Sequence, residues 1–214
     1  MRNVGGYEKL PTYSNMQTPA QKILRIVGRH GIVRPKDVEK EGVTREALLR
    51  LFRKGILQRS ARGVYVLATA PITEHHSLAV AAKQVPRGVI CLISALHYHG
   101  LTTQIPHEVW IALDAKARRP AVSWPPLRVV RFSGQALRAG IEDAVVEGVP
   151  LKIYGVAKTV ADCFKYRNKI GIDVAIEALR DAFRQKKATL DAIHHFAKVC
   201  RVARIMRPYL ESVT

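Results

Sequence analysis

The sequence predicts an α+β protein in which an N-terminal winged helix-turn-helix precedes a mixed α/β C-terminal domain that ends in a helical subdomain. Three helix-like segments and then two short strand-like segments give the winged helix-turn-helix order within about fifty residues. After residue 70 the pattern changes, because strand-like and helix-like segments alternate before a helical end. We therefore predict a flexible lead-in over residues 1–17, the winged helix-turn-helix over 18–70 and the C-terminal domain over 71–214.

Capping residues mark the N-terminal helices. Thr18 is a typical N-cap for a first helix that Gly31 ends, and Thr44 is the predicted N-cap of a third helix that ends at about Lys54. A short second helix lies between them, over residues 35–42. The wing follows, with strands at Ile56–Gln58 and Val64–Leu67 and a turn at Arg59–Gly63.

The C-terminal domain is predicted from periodicity and turn residues. Two helices over residues 72–84 and 89–101 precede strands over 107–113 and 127–134, and a hairpin turns about Gly148. Three amphipathic helices follow, over residues 157–167, 171–187 and 189–208, and Asp173 and Thr189 are plausible caps for the last two.

Charge is the first indication of a partner. The formal net charge is +18, and residues 1–70 carry half of this excess although they make up a third of the chain. Nucleic acid is the commonest polyanion that such an imbalance serves. A generally basic surface without a polyanionic partner is the alternative.

The third predicted helix has one apolar and one basic face. Ala47, Leu48, Leu51 and Phe52 would close a three-helix core, whereas the opposite arc suits a DNA major groove. There Arg45 could bind a guanine edge and Leu49 could contact a thymine methyl group. Arg50, Arg53 and Lys54 would mostly bind phosphates. The predicted DNA-binding residues are Arg45, Glu46, Leu49, Arg50, Arg53 and Lys54 of this helix, and Arg59 and Arg62 of the wing. The alternative is a winged helix that binds another protein.

The last predicted helix carries a second group of cations. These are Lys198, Arg201, Arg204 and Arg207. A spacing of three residues winds slowly around a helix, so they form a spiral and not a single stripe. They are either the polar face of an amphipathic helix or a second surface for DNA phosphates or an acidic protein.

Membrane, metal and cofactor sites are not predicted. No apolar run approaches the roughly 18 residues that a membrane span needs, and the N-terminus has no apolar core of a secretion signal. Three distant cysteines favour a reduced cytoplasm. The adjacent or alternating histidines lack the spacing of metal ligands, and no glycine-rich phosphate loop is present.

An enzyme that processes DNA is the alternative from another class. Asp114 and Lys116, at the end of a predicted strand, resemble half of a metal-dependent nuclease site. Such a site needs a second carboxylate, for which Glu108 and Glu74 are the candidates. An ordinary turn at the end of a strand explains the same residues, so no catalytic residue and no enzymatic activity are predicted.

Several segments resemble the AbiE-type antitoxins, which are the regulatory half of type IV toxin–antitoxin and abortive-infection systems. The resemblance covers about residues 18–210. The winged-helix part of the resemblance is common to many winged-helix proteins. The segments more specific to this family read RGVICLISALHYHGL and AKTVADCFKYR. It implies repression of the protein's own operon through the winged helix, and a C-terminal domain needed to neutralise a toxin that resembles a nucleotidyltransferase.

The resemblance implies that the third helix reads the operator, an inverted repeat in double-stranded DNA, and that the wing makes further contacts with it. The operator-reading residues would be Arg45, Leu49, Arg50 and Arg53, and the wing residues would be Arg59 and Arg62. The expected partners are thus this DNA and a co-encoded toxin, whose direct contact with the protein is left open. The alternative is a plain winged-helix regulator whose C-terminal domain binds a ligand or forms a dimer.

Overall fold

A winged helix-turn-helix forms the N-terminal part of the chain in a computed structural model that describes residues 18–212. The predicted lead-in over residues 1–17 lies outside the described residues. The elements are α1 (Pro19–His30), α2 (Pro35–Lys40), α3 (Arg45–Arg53), β1 (Leu57–Ala61) and β2 (Val64–Leu67). This order confirms the predicted fold class in its first part.

The caps of α1 and α3 follow the sequence prediction. The side-chain oxygen of Thr18 accepts the backbone N–H of Gln21 at 3.3 Å, and the Gln21 side chain accepts the backbone N–H of Thr18 at 2.9 Å. Thr44 likewise accepts the backbone N–H of Ala47. Leu48 is fully buried and joins α3 to the core that the three helices share with the wing.

The wing differs from its prediction, because β1 continues to Ala61. The turn therefore consists of Arg62 and Gly63 alone, and Gly63 adopts φ +71°. Arg59 lies within β1 opposite Tyr65, beside an irregularity in the register. Burial of Ala61 against the C-terminal domain accounts for the longer strand, and the sequence of the wing alone does not show that contact.

A five-stranded mixed sheet forms the centre of the C-terminal part. Its strands are β3 (Val89–Ile90), β4 (Val109–Asp114), β5 (Leu127–Phe132), β6 (Ile141–Val146) and β7 (Val149–Tyr154). Their order is β5-β4-β3-β7-β6. The β3–β7 and β4–β5 pairs are parallel, and the other two pairs are antiparallel.

Helices cover both faces of this sheet. They are α4 (His76–Gln84), α5 (Leu92–Tyr98), α6 (Gly134–Arg138), α7 (Val156–Lys165), α8 (Arg167–Ile170), α9 (Ile172–Arg184), α10 (Leu190–Val199) and α11 (Ala203–Glu211). Along β4, Trp110 and Ala112 pack with the C-terminal helices, whereas Ile111 and Leu113 pack on the opposite face. The winged helix and α4 lie on that second side. The predicted mixed α/β domain with a helical end is confirmed.

Three local predictions are wrong. The segment 89–101 was expected to be one helix, but Val89 and Ile90 form the central strand β3 before α5 begins. The predicted helix over 189–208 is two helices, because Arg201 adopts φ +59° and allows Val202 to turn into the core. Asp173 lies in the first turn of α9, whose N-cap is Gly171. Thr189, in contrast, caps α10 as predicted.

A buried ion pair lies in the core of the helical subdomain. The Lys158 ammonium contacts the Asp162 carboxylate one turn away on α7, and both side chains are fully buried. Cys200 donates its thiol hydrogen to Asp162 at 3.1 Å, and burial raises the pKa of this thiol to about 12. The ring of Tyr154 lies 4.0 Å from the Lys158 nitrogen. Polar neighbours thus compensate the burial of both charges.

The winged helix packs directly against the C-terminal domain. Gly31, at the end of α1, lies against the turn between β6 and β7, where a Cβ atom would overlap the backbone of Glu147. Val64 and Val66 of the wing share an apolar cluster with α4 and β7. The apolar packing is therefore continuous between the segments on the two sides of the predicted boundary near residue 70.

Glu147 links this turn to α4 and, through it, to the wing. Its carboxylate accepts a hydrogen bond from His76 Nδ1 at 2.6 Å and two from Thr73 at 2.8 Å. The other ring nitrogen of His76 lies 3.2 Å from the Ser60 hydroxyl of β1. Burial alone would raise the pKa of Glu147, but these hydrogen bonds outweigh it and hold the pKa below its ordinary value of 4.5.

We expect Glu147→Gln to lower the free energy of unfolding at pH 7 by about 1–3 kcal/mol, because the amide is uncharged and keeps only one of the two acceptor oxygens that His76 and Thr73 use. The stabilisation by the Glu147 carboxylate is fully present at pH values above the pKa that this group has in the unfolded chain. It is lost as pH falls through the lower pKa that the group has in the folded protein. The difference in melting temperature between wild type and variant, roughly 2–4 °C per kcal/mol, should therefore shrink from pH 7 to pH 3.

Glu177→Gln is the matched control for this series, since Glu177 is exposed on α9. Its melting temperature should follow the wild type at every pH. A Glu147→Gln variant that tracked Glu177→Gln across the series would contradict the role given to this carboxylate.

Candidate nucleic-acid interface

A basic groove lies beside the helix-turn-helix and the wing. Its volume is about 1040 Å³, and five cationic side chains and one acidic side chain, Glu39, contribute to its lining. The cations are Arg34, Lys36, Arg45, Arg59 and Arg62. We call this feature the basic groove. Its excess of positive charge suits a polyanion.

Three of the sequence-predicted residues meet in the basic groove. Arg45 is the first residue of α3, and Arg59 and Arg62 come from the wing. The Arg59 guanidinium lies 5.9 Å from the ring centroid of Phe52, so α3 supports the position of the wing arginine. Helix and wing thus present charges to one shared space, as a winged helix does when it binds DNA.

The remaining predicted residues of α3 lie outside the lining of this groove. Arg50 and Lys54 are exposed, and Arg53 forms an exposed ion pair with Glu46 at 3.3 Å. Such a surface pair contributes little to stability, so it leaves Arg53 free to exchange Glu46 for a phosphate. Leu49 is half-buried against the winged-helix core, which leaves only part of its side chain for a base contact.

Sequence reasoning missed Arg34 and Lys36. Both flank Pro35 at the start of α2, and the guanidinium of Arg34 donates to the backbone carbonyl of Lys83 at 3.2 Å. The signal was present in the sequence, because the first turn of the helix before a recognition helix commonly meets the DNA backbone.

The C-terminal cations are spread over two helices and their connection. Lys198 lies in the last turn of α10, Arg201 lies in the link, and Arg204 and Arg207 are on α11. The last two line a groove that also contains Asp191 and Glu211, and Arg207 pairs with Glu211 at 2.9 Å. This surface is of mixed charge, so it suits a polyanion less well than the basic groove does.

The structure gives the nuclease hypothesis no support in geometry. Asp114 is exposed at the end of β4, and its carboxylate accepts the backbone N–H of Lys116 at 2.9 Å. Glu108 lies at the other end of this strand and pairs with Arg128. Within residues 18–212, no group of three or more His, Cys, Asp and Glu residues is placed to hold a metal ion.

Comparison with known families identifies the N-terminal part. Residues 21–68 match the family described as a transcriptional regulator, AbiEi antitoxin. Residues 21–68 are thus similar to an AbiEi winged helix, and we call them the AbiEi-type unit. The match confirms the resemblance to the AbiE-type antitoxins in the winged-helix part of the chain, and the five cations that line the basic groove all lie within it.

The fold beyond the AbiEi-type unit also has a counterpart of known structure. The RV2827C protein from Mycobacterium tuberculosis superposes with a TM-score of 0.56 over 94% of this chain and 83% of that chain, at 15% sequence identity. At this identity the likeness concerns the fold alone. No curated protein matches the sequence. Every helix within residues 18–212 is too short or too polar to span a bilayer.

Proposed function

We propose that the protein binds operator DNA upstream of its own gene through the basic groove and represses transcription. The observation that carries this proposal is the convergence of Arg45, Arg59 and Arg62 with the start of α2 on an AbiEi-type unit. Arg45 would bind base edges at the N-terminus of α3, and the wing arginines would bind phosphates. Repression follows if the bound protein occupies the promoter.

The second part of the proposal is antitoxin activity in the cytoplasm. The C-terminal domain would neutralise a co-encoded nucleotidyltransferase-like toxin, as the resemblance implies. We propose that it does this without an enzymatic reaction of its own. Asp114, the candidate carboxylate of the nuclease alternative, is explained by the turn that it forms with the backbone N–H of Lys116.

We expect Arg45→Ala to weaken operator binding by about 1–3 kcal/mol and to relax sequence preference, because a base contact is lost. Arg62→Ala should weaken operator and scrambled duplexes alike and reduce the slope of log K against log salt by about one. Fluorescence anisotropy with both duplexes measures both effects. Arg138→Ala, an exposed arginine on α6, is the control and should match wild type.

Identical behaviour of the Arg45 and Arg62 variants would contradict the division into reading and positioning residues. Wild-type affinity and preference in both would remove the basic groove from the interface altogether.

We expect the full chain to restore growth to cells that express the co-encoded toxin, when both genes are transcribed from unrelated promoters. Arg45→Ala should still restore growth, because operator binding plays no part under those promoters. Colony counts with and without the protein measure the effect. Failure of the wild-type chain to restore growth would favour a plain winged-helix regulator.

A further inference from the structure

The loop between β4 and β5 carries positive charge that the fold does not require. This crossover loop, residues 115–126, joins two adjacent parallel strands, and parallel strands need a connection of about a dozen residues. Topology therefore accounts for its length. It does not account for its composition, which includes three exposed cations and no acidic residue. The cations are Lys116, Arg118 and Arg119.

The crossover loop is attached to the sheet at several points. Val122 packs with Val85, Ile111 and Leu113 in a small apolar cluster. The side chain of Gln84 donates to the backbone carbonyl of Trp124 at 2.7 Å. The loop therefore holds a defined position and presents its charged residues from a fixed base.

The middle of the crossover loop completes the lining of the basic groove. Residues 120–123 line that groove together with residues from α2, α3 and the wing. Arg118 and Arg119 are exposed and come directly before them in the sequence, next to the lining. The lining thus has two parts, which we call its two walls. One wall belongs to the AbiEi-type winged helix, and the other, residues 120–123, belongs to the C-terminal domain.

Two consecutive residues at the end of α4 hold these two walls together. The Lys83 ammonium pairs with Asp37 of α2 at 3.0 Å, and the Lys83 backbone carbonyl accepts from Arg34 at 3.2 Å. The next residue, Gln84, binds the crossover loop. Contacts of the last turn of α4 therefore join the two walls without a bound ligand.

We propose that the crossover loop is a second DNA-binding element, in which Arg118 and Arg119 bind backbone phosphates next to those held by α2 and the wing. Five cations of the winged helix line the basic groove, and Arg118 and Arg119 are joined directly to the loop residues that complete its lining. These like charges repel one another unless a polyanion lies beside both groups, and duplex DNA supplies phosphates to both. The C-terminal domain then contributes directly to operator affinity. This inference rests on the proposed function, because it places the operator in the same groove.

The test is the double variant Arg118→Ala/Arg119→Ala, compared with Arg138→Ala/Arg180→Ala. Both variants lose two exposed arginines, and the control residues, unlike Arg118 and Arg119, do not adjoin residues that line the basic groove. Anisotropy with operator and scrambled duplexes is measured from 50 to 200 mM salt. Loss of two phosphate contacts should flatten the slope of log K against log salt by about 1.8, so the advantage of wild type over the loop variant should fall about tenfold over that range.

The loop variant should weaken both duplexes equally, since phosphate contacts carry no sequence information. Arg118→Lys/Arg119→Lys should restore the wild-type slope, because the charges remain. Hydroxyl-radical footprinting should show loss of protection on the backbone beside the wing, with protection by α3 unchanged. The melting temperature of each variant establishes that it is folded.

A loop variant with the slope and footprint of the control would overturn the inference, and the basic loop would then be available to a protein partner. This outcome is distinct from failure of the proposed function, which is a wild type without preference for its operator. Even then the slope on the scrambled duplex reports whether the crossover loop meets DNA phosphates.

Discussion

Attachment of the winged helix to the C-terminal sheet is the constraint on which the candidate interface depends. Lys83 and Gln84 bind one wall of the basic groove each, and Glu147 connects the β6–β7 turn to the start of α4. Gly31 allows that turn to approach the backbone of α1. A winged helix on a flexible tether would present the same charges, but it would have no second wall at a fixed distance. The basic groove is therefore a property of the whole fold.

The arrangement of charge separates a binding surface from a merely basic one. The basic groove collects five cations against one carboxylate, whereas the groove beside α11 sets Arg204 and Arg207 against Asp191 and Glu211. A charge excess needed only for solubility has no reason to converge in this way. The buried Lys158–Asp162 pair, in contrast, lies in the core of the helical subdomain and takes no part in the interface.

Local signals in the sequence predicted most elements, and long-range contacts explain the failures. Thr18, Thr44 and Thr189 act as caps because capping depends on neighbours three residues away. The strand β3 was missed because its partners, β4 and β7, are distant in the sequence, and a two-residue strand has no periodicity of its own. The faces of the third helix and the position of the wing in the sequence predicted Arg45, Arg59 and Arg62 as DNA-binding residues, and all three line the basic groove. The second wall of the groove follows only from the packing of the crossover loop, which a single sequence does not display.

The most direct test of the central claim is fluorescence anisotropy of the wild-type protein with the DNA immediately upstream of its own gene. A scrambled duplex of equal length is measured beside it through a salt series. A preference of about a thousandfold or more for the native duplex is the result that a specific repressor gives. Equal affinity for both duplexes, with the same steep dependence on salt, would show a nonspecific polycation and would contradict operator recognition by the basic groove.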